Sequence, residues 1–278
     1  MKKLCFLWIA IVGWLGSGCL SAAEPSLQVV SIDGAERPKI DGDLSDAVWQ
    51  RAALIPGLTQ MAPIEQATPT ERTEVRVCYD SENLYVAFRC WDSDIDNLNA
   101  AIMQRDQSVG SDDYVFILLD PYQTGREGFY FRVNANGAKG DGRVTAQTSR
   151  PNMDWDAIWD GDGTILEDGW SVEFAIPFRS VSFDPNSTAW KANFARWIPR
   201  KQERIRWAGA YRQRRFHKLE NAGTLTGLQN MERGKGIDFK PYALGRRSTQ
   251  RNTDDSYFSD YGADLFWQVT PSLTTTFT

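Results

Sequence analysis

From Glu71 onward the hydrophobic and polar positions alternate with a period of two. Val75, Val77 and Tyr79 alternate with Glu74, Arg76 and Cys78; after residues 80–83, Leu84, Val86 and Phe88 alternate with Tyr85, Ala87 and Arg89. That period marks antiparallel strands with one buried face. Residues 114–119 are apolar on both faces, which predicts a central strand covered on both sides, and Phe129, Phe131 and Val133 resume the alternation. Trp170, Val172, Phe174 and Ile176 then face one way, with Ser171, Glu173 and Ala175 the other, until Pro177, which has no ladder donor, ends the strand. Residues 190–198 and 203–207 read as two more strands joined by a Pro199-Arg200-Lys201-Gln202 turn. Helical signal is confined to residues 44–53, after Asp43. Six or more short strands with Gly and Asp in the turns predict an all-β fold, an antiparallel β-sandwich of the immunoglobulin or jelly-roll kind.

The pattern changes after residues 223–228. Tyr261, Ala263, Leu265, Trp267 and Val269 alternate with Gly262, Asp264, Phe266 and Gln268, Thr270-Pro271-Ser272 turns, and Leu273, Thr275 and Phe277 follow. Two such strands are not stable alone, so they either pair with the sandwich or are the first strands of a truncated β-barrel. At the other end, Met1-Lys2-Lys3, an apolar run from Leu4 to Leu15 and the small residues up to Ser21-Ala22-Ala23 have the order of a secretory signal peptide cut after Ala23. The run is shorter than the roughly 20 residues of a membrane-spanning helix. Cys19 raises lipidation as an alternative, but Gly16-Ser17-Gly18 lacks the bulky apolar residue of a lipobox. The expected organisation is a signal peptide at 1–23, a sandwich at 24–234 and the start of a barrel at 235–278, in a protein exported to the periplasm, outer membrane or cell surface.

Composition narrows the chemistry. A hydrophobic share of 42 % with 11 Trp fits a folded core. The net charge of −5, more negative once Lys2 and Lys3 are removed, argues against a nucleic-acid partner. After cleavage only Cys78 and Cys90 remain, and the hairpin register sets Cys78 opposite Tyr85, so no disulfide joins them. A single histidine, His217, leaves zinc sites and Ser-His-Asp triads without material. Glycoside hydrolysis needs two carboxyls about 5–10 Å apart; Asp113 and Glu173 are the least unsuitable pair, with no motif around them, so hydrolase is the weakest reading.

Three patterns carry candidate chemistry. Asp92-x-Asp94-x-Asp96 supplies alternate carboxylates, as a calcium loop does, although Asn97 and Met103 break the EF-hand pattern; the alternative is a solvated acidic turn. Trp155 and Trp159, among Asp154, Asp156, Asp160 and Asp162, are either a carbohydrate platform or rings that pin a loop, whereas Trp49, Trp170 and Trp190 sit on apolar faces and read as core. Arg196, Arg200, Lys201, Arg204, Arg206, Arg212, Arg214, Arg215 and Lys218 form a basic stretch broken by Glu203. It is either a solvated strand face or a contact for anionic polysaccharide or lipopolysaccharide phosphate.

Ile40-Asp41-Gly42-Asp43-Leu44-Ser45-Asp46-Ala47-Val48-Trp49 resembles the opening of a family-9 carbohydrate-binding module (CBM9). In the family's order there follow Val75 to Tyr79 with Leu84-Tyr85-Val86, Asp112-Asp113-Tyr114-Val115, Phe131-Arg132-Val133-Asn134, and Gly169-Trp170-Ser171-Val172-Glu173 with Ile176-Pro177. Phe239-Lys240-Pro241-Tyr242 and the residues 261–273 are similar to envelope proteins that carry such a module ahead of an outer-membrane barrel. The resemblance implies a non-catalytic domain with structural calcium and a shallow slot in which two aromatic rings clamp a glycan chain end. The first clamp ring falls at Gly110, the slot's acid at Phe116 and the second ring at Phe216. Arg132 and Asn134 match the family's polar strand, so Arg132, Asn134, Trp159 and Phe216 are the carbohydrate-binding candidates and Asp92, Asp94 and Asp96 the metal candidates. Gly110 and Phe116 also support a second expectation: a plug or interaction domain that kept the fold and lost the sugar.

Overall fold

In a computed structural model, residues 24–147, 150–213, 215–219, 221–234, 237–248, 256–270 and 273–277 are described; the expected signal peptide lies outside them. The strands run β1 (Ser26–Gln28), β2 (Val30–Ser31), β3 (Ala53–Ile55), β4 (Thr59–Ala62), β5 (Thr73–Tyr79), β6 (Asn83–Trp91), β7 (Tyr114–Asp120), β8 (Glu127–Asn134) and β9 (Lys139–Thr145). They continue as β10 (Asp160–Leu166), β11 (Gly169–Pro177), β12 (Ala189–Ile198), β13 (Glu203–Arg206), β14 (Gly223–Thr226), β15 (Ile237–Ser248), β16 (Ser256–Thr270) and β17 (Leu273–Phe277). One short helix, α1 (Ala47–Arg51), falls inside the stretch expected to be helical.

Two sheets face one another. The larger has the order β1-β14-β12-β7-β8-β9, with β13 on the end of β12 and β4 on β13; the smaller has the order β10-β11-β6-β5-β2, with β3 also on β5. The alternating positions meet between them: Val75, Val77, Leu84, Val86, Phe88, Val172, Phe174 and Ile176 from the smaller sheet pack on Val115, Ile117, Phe131, Val133, Trp190 and Phe194 from the larger. Each such fully buried side chain contributes about 1.5–3 kcal/mol of apolar transfer. As expected, β7 is covered on its other face too: its Phe116 and Leu118 are buried in a cluster with Tyr130, Trp197, Phe216 and Leu219. Trp49, Val48 and Ala52 of the α1 region cover Cys78, Tyr85 and Ala87 on the outside of the smaller sheet.

The opening motif latches that outer cluster. Buried Glu173 accepts from the Asp41 and Gly42 amides at 3.0 and 2.8 Å and from Trp49 Nε1 at 2.6 Å. Ser171 and Thr164 donate to the Gly42 and Asp41 carbonyls. Gly42 has φ +80, and a Cβ there would come within 2.7 Å of the Gly163 carbonyl carbon, so glycine is required on both counts. Burial pushes the Glu173 carboxyl up to about 7 despite its donors. Asp113, the other half of the carboxyl pair, instead accepts from the Asn99 backbone amide, donates its own amide to the Asn99 carbonyl, and shares its surroundings with Arg196 and Asp92. The two acids serve different parts of the frame.

The hairpin register is as read: Tyr79 faces Leu84, Cys78 faces Tyr85, and Cys90 faces Thr73. Both thiols are free and buried. At the end of the chain, β15, β16 and β17 form a separate three-stranded sheet.

Candidate outer-face binding site

The outward side of the larger sheet is laid out by its registers. Across β13, β12, β7 and β8 one row reads Arg204, Trp197, Tyr114, Asn134; the next, continued onto β9, reads Arg206, Ala195, Phe116, Arg132, Gly140. The segment after residue 210 folds over the second row. Phe216 meets Phe116 edge-on at 4.8 Å between ring centroids, and His217 lies 5.0 Å from the same ring.

Of the four carbohydrate candidates, Arg132, Asn134 and Phe216 therefore share this face, and Trp159 does not. Trp159 is in the inter-sheet core, stacked on Phe174 at 5.7 Å, with its Nε1 donating to Asp141 at 3.1 Å. That corrects its reading as a sugar platform, and Trp155 packs beside it on Phe129 and Phe131. Asn134 has no exposed surface and its amide is fully engaged: Nδ2 donates to the Ile102 carbonyl and Asp112, while Oδ1 accepts from the Asn136 and Ala138 amides. Arg132 lies flat on Gly140, where a Cβ would come within 2.5 Å of its Nε, and donates to the Gln107 carbonyl. These two side chains hold residues 102–112 over the sheet rather than facing solvent. Phe216 is 8 % exposed and Phe116 is fully buried, so the slot expected between residues 110, 116 and 216 is packed with rings.

Of the first row, Arg204 is the accessible side chain; Tyr114 is partly buried, and Trp197 is as buried as Phe216, at 8 % exposed. Arg204 is exposed, and its guanidinium carbon stands 5.0 Å from the Trp197 ring centre and 5.8 Å from that of Phe216. Trp197 Nε1 donates to the Gly110 carbonyl at 3.0 Å, which puts an indole beside the position of the missing clamp ring. Gly110 itself is exposed, and a Cβ there would meet nothing nearer than Ser108 Oγ at 3.9 Å. Tyr114 and His217 are partly buried alongside. Burial drives the His217 imidazole down to about 3, assisted by Arg206, Arg204, Arg132 and Arg150, so the ring is neutral. Arg204 and Trp197 were legible in the sequence: counting outward from the Pro199–Gln202 turn sets them opposite one another, as the same count set Cys78 opposite Tyr85.

The calcium expectation also needs correcting where it was placed. Asp92 is buried with both oxygens on guanidiniums: Arg196 at 3.1 Å and Arg200 at 2.6 and 2.9 Å. Asp94 accepts from Asn97 Nδ2, and Asp96 is exposed. A carboxylate already neutralised by two arginines, with its neighbours turned elsewhere, does not fit a calcium cage. Among the described residues, the acids that do converge are Asp106, Asp141 and Asp156. Arg105 stands among them, at 3.2, 2.7 and 3.2 Å respectively.

The sequence profile described as "Carbohydrate family 9 binding domain-like" matches residues 40–195, more than half of the chain. The chain belongs to this family. Solved structures agree on the fold of the CBM9-like domain. A Bacteroides uniformis protein proposed to bind carbohydrate superposes with a TM-score of 0.60 at 13 % identity, covering 72 % of this chain and 98 % of its own. A CBM9 from Caldicellulosiruptor kristjanssonii gives 0.53 both with cellotriose bound (21 % identity, 75 % and 95 % covered) and with glucose bound (20 %, 74 % and 96 %). No curated protein sequence matches the chain. The CBM9-like domain thus has the expected β-sandwich, antiparallel except where β1 pairs with β14 and β2 with β5 in parallel, with the motif at residues 40–49 spent on the Glu173 latch and its expected slot filled.

Proposed function

We propose that the CBM9-like domain is a non-catalytic glycan-binding module of an exported bacterial envelope protein, and that it takes a saccharide at Arg204, over the buried rings of Trp197 and Phe216 and beside the partly buried Tyr114. The observation that carries this reading is the Trp197 indole fixed beside Gly110 and bridged to Phe216 by the Arg204 guanidinium. Aromatic faces suit the C–H surface of a pyranose, and a guanidinium edge supplies donors to its oxygens. The cellotriose and glucose complexes of the Caldicellulosiruptor kristjanssonii module support a sugar as the ligand class.

A second reading, a structural or interaction domain without sugar binding, is favoured by one observation, the burial of Phe216 against Phe116. Titration calorimetry of the full chain against cellotriose, glucose and a panel of plant and microbial oligosaccharides separates the two. Saturable heat with any saccharide supports the module; none at all, from protein that melts cooperatively, supports the structural domain.

We further propose that β15, β16 and β17 meet a lipid bilayer with one face, as opening strands of an outer-membrane barrel. Directly paired residues project to the same side, and the pairs Ile237 with Trp267, Phe239 with Leu265, Ala243 with Tyr261, and Leu265 with Phe277 are apolar. Ile237, Phe239, Tyr261, Trp267 and Phe277 are all exposed. Asp260 and Asp264 fall on the opposite face together with the exposed Tyr242, Leu244 and Phe258, so it is the acids that alternate with the apolar row as on a lipid-facing strand.

A further inference from the structure

The basic stretch between residues 196 and 218 divides according to where its charges go. Arg196 and Arg200 are neutralised by Asp92, and Arg200 and Lys201 by Glu71. Arg204 is not: among the described residues no carboxylate lies within ion-pair reach of it. Its neighbour Glu203 turns inward, accepting from Gln60 Nε2 at 2.7 Å and from Thr70. The outer face is positive in the surroundings as well as at this side chain. Beside burial, the charges that depress the His217 ring are Arg206, Arg204, Arg132 and Arg150. Arg212 and Arg215 are exposed on the segment that brings Phe216 onto the sheet. In a chain of net charge −5, this is a local reversal of sign.

We propose that the saccharide read on this face carries an anionic oxygen group, a carboxylate, sulfate or phosphate, held by the Arg204 guanidinium over Trp197 and Phe216. The proposal rests on the glycan reading above and names its ligand class. Lying over two rings, the guanidinium is held by cation–π attraction. Less freedom is then lost when its planar fork pairs with two oxygens of an anion. A neutral sugar displaces water from the same donors without supplying the counter-charge. Trp197, 8 % exposed beneath the guanidinium, fixes the fork, and the partly buried Tyr114 ring lies alongside for the sugar's apolar face.

The experiment is calorimetry on the full chain with four probes: trigalacturonate for the carboxylate, a heparin-type sulfated oligosaccharide, glucose 6-phosphate, and cellotriose as the neutral control. At least one anionic probe should bind about tenfold more tightly than cellotriose, the worth of one charge-assisted hydrogen bond. Its affinity should fall as salt rises from about 20 to about 300 mM. Arg204→Gln should remove that advantage with the melting temperature unchanged, and Arg204→Lys should restore only part of it, because an ammonium lacks the fork. The identity of the tightest probe distinguishes carboxylate, sulfate and phosphate. Cellotriose binding as tightly as every acidic probe, or Arg204→Gln leaving the anionic affinity intact, overturns the inference while leaving the glycan reading standing. Absence of binding to all four probes, and to the wider oligosaccharide panel, by folded protein removes the glycan reading and this inference with it.

Discussion

Glu173 and His217 are titratable groups that folding buries, and they bias stability in opposite directions. Glu173 sits at about 7 in the fold against an ordinary value near 4.5. Between those values the native state keeps a proton that the unfolded chain releases, so its contribution is present at low pH and is lost as pH rises through about 7. Asp113, pushed up to about 6 by burial, acts the same way over a lower window. His217, held down to about 3, is the reverse: the unfolded chain takes up a proton that the native state refuses, so stability falls as pH drops through about 6.5. Denaturant melts at pH 5 and pH 8 resolve the terms. Glu173→Gln should remove a pH-dependent contribution on the order of 2 kcal/mol, making the variant relatively better at pH 8 than at pH 5. His217→Gln should make it relatively better at pH 5. An unchanged pH dependence in Glu173→Gln would show that this carboxyl does not titrate in that window. The sequence displayed Glu173 on the polar face of its strand. It could not display the burial, which comes from residues 41–49 folding back over that face.

At the scale of elements, the strands were legible because period-two alternation is a local property. Val75 to Phe88 and Trp170 to Ile176 face the core as the alternation requires. The cover on both faces of β7 was legible for the same reason. The contents of the slot were not, because they depend on Phe216 and Leu219 packing onto a strand about a hundred residues away in sequence. No local pattern tells whether Phe216 points out to a sugar or down onto Phe116. The acids misled in a similar way, since Asp92 meets Arg196 and Arg200 only across the sandwich. For β15–β17 the alternation is again local, and it makes a direct prediction. Full chain should co-sediment with lipid vesicles. Phe239→Arg combined with Tyr261→Arg should reduce the fraction bound to vesicles of neutral lipid at least tenfold, since each arginine at mid-membrane costs about 2–4 kcal/mol. Leu244→Asp, on the other face by the same register, should leave binding largely intact. Equal sedimentation of all three would remove the bilayer as the partner of that face.

The whole domain stacks three apolar clusters, and its two thiols report on different ones. Cys90 lies between the two sheets, while Cys78 lies outside the smaller sheet, under α1. Burial raises them to about 11 and about 12, so at neutral pH neither supplies the thiolate that disulfide chemistry requires. Their register keeps them from pairing with each other. Burial and register together keep the two thiols unpaired in the folded domain. It also provides a test of cooperativity. The Glu173 latch ties the outer cluster to β11, the strand whose Val172 and Phe174 form part of the inter-sheet core, so α1 should not open ahead of the sandwich. With the mature chain, a thiol reagent such as dithionitrobenzoate should label neither cysteine in the native state and both at one common rate, that of global unfolding. In Glu173→Ala the latch loses its acceptor and three donors are orphaned, two of them buried, so Cys78 should then react well before Cys90. If Cys78 already reacts first in the unaltered protein, the outer cluster is a separate unit and the latch does not couple it to the core.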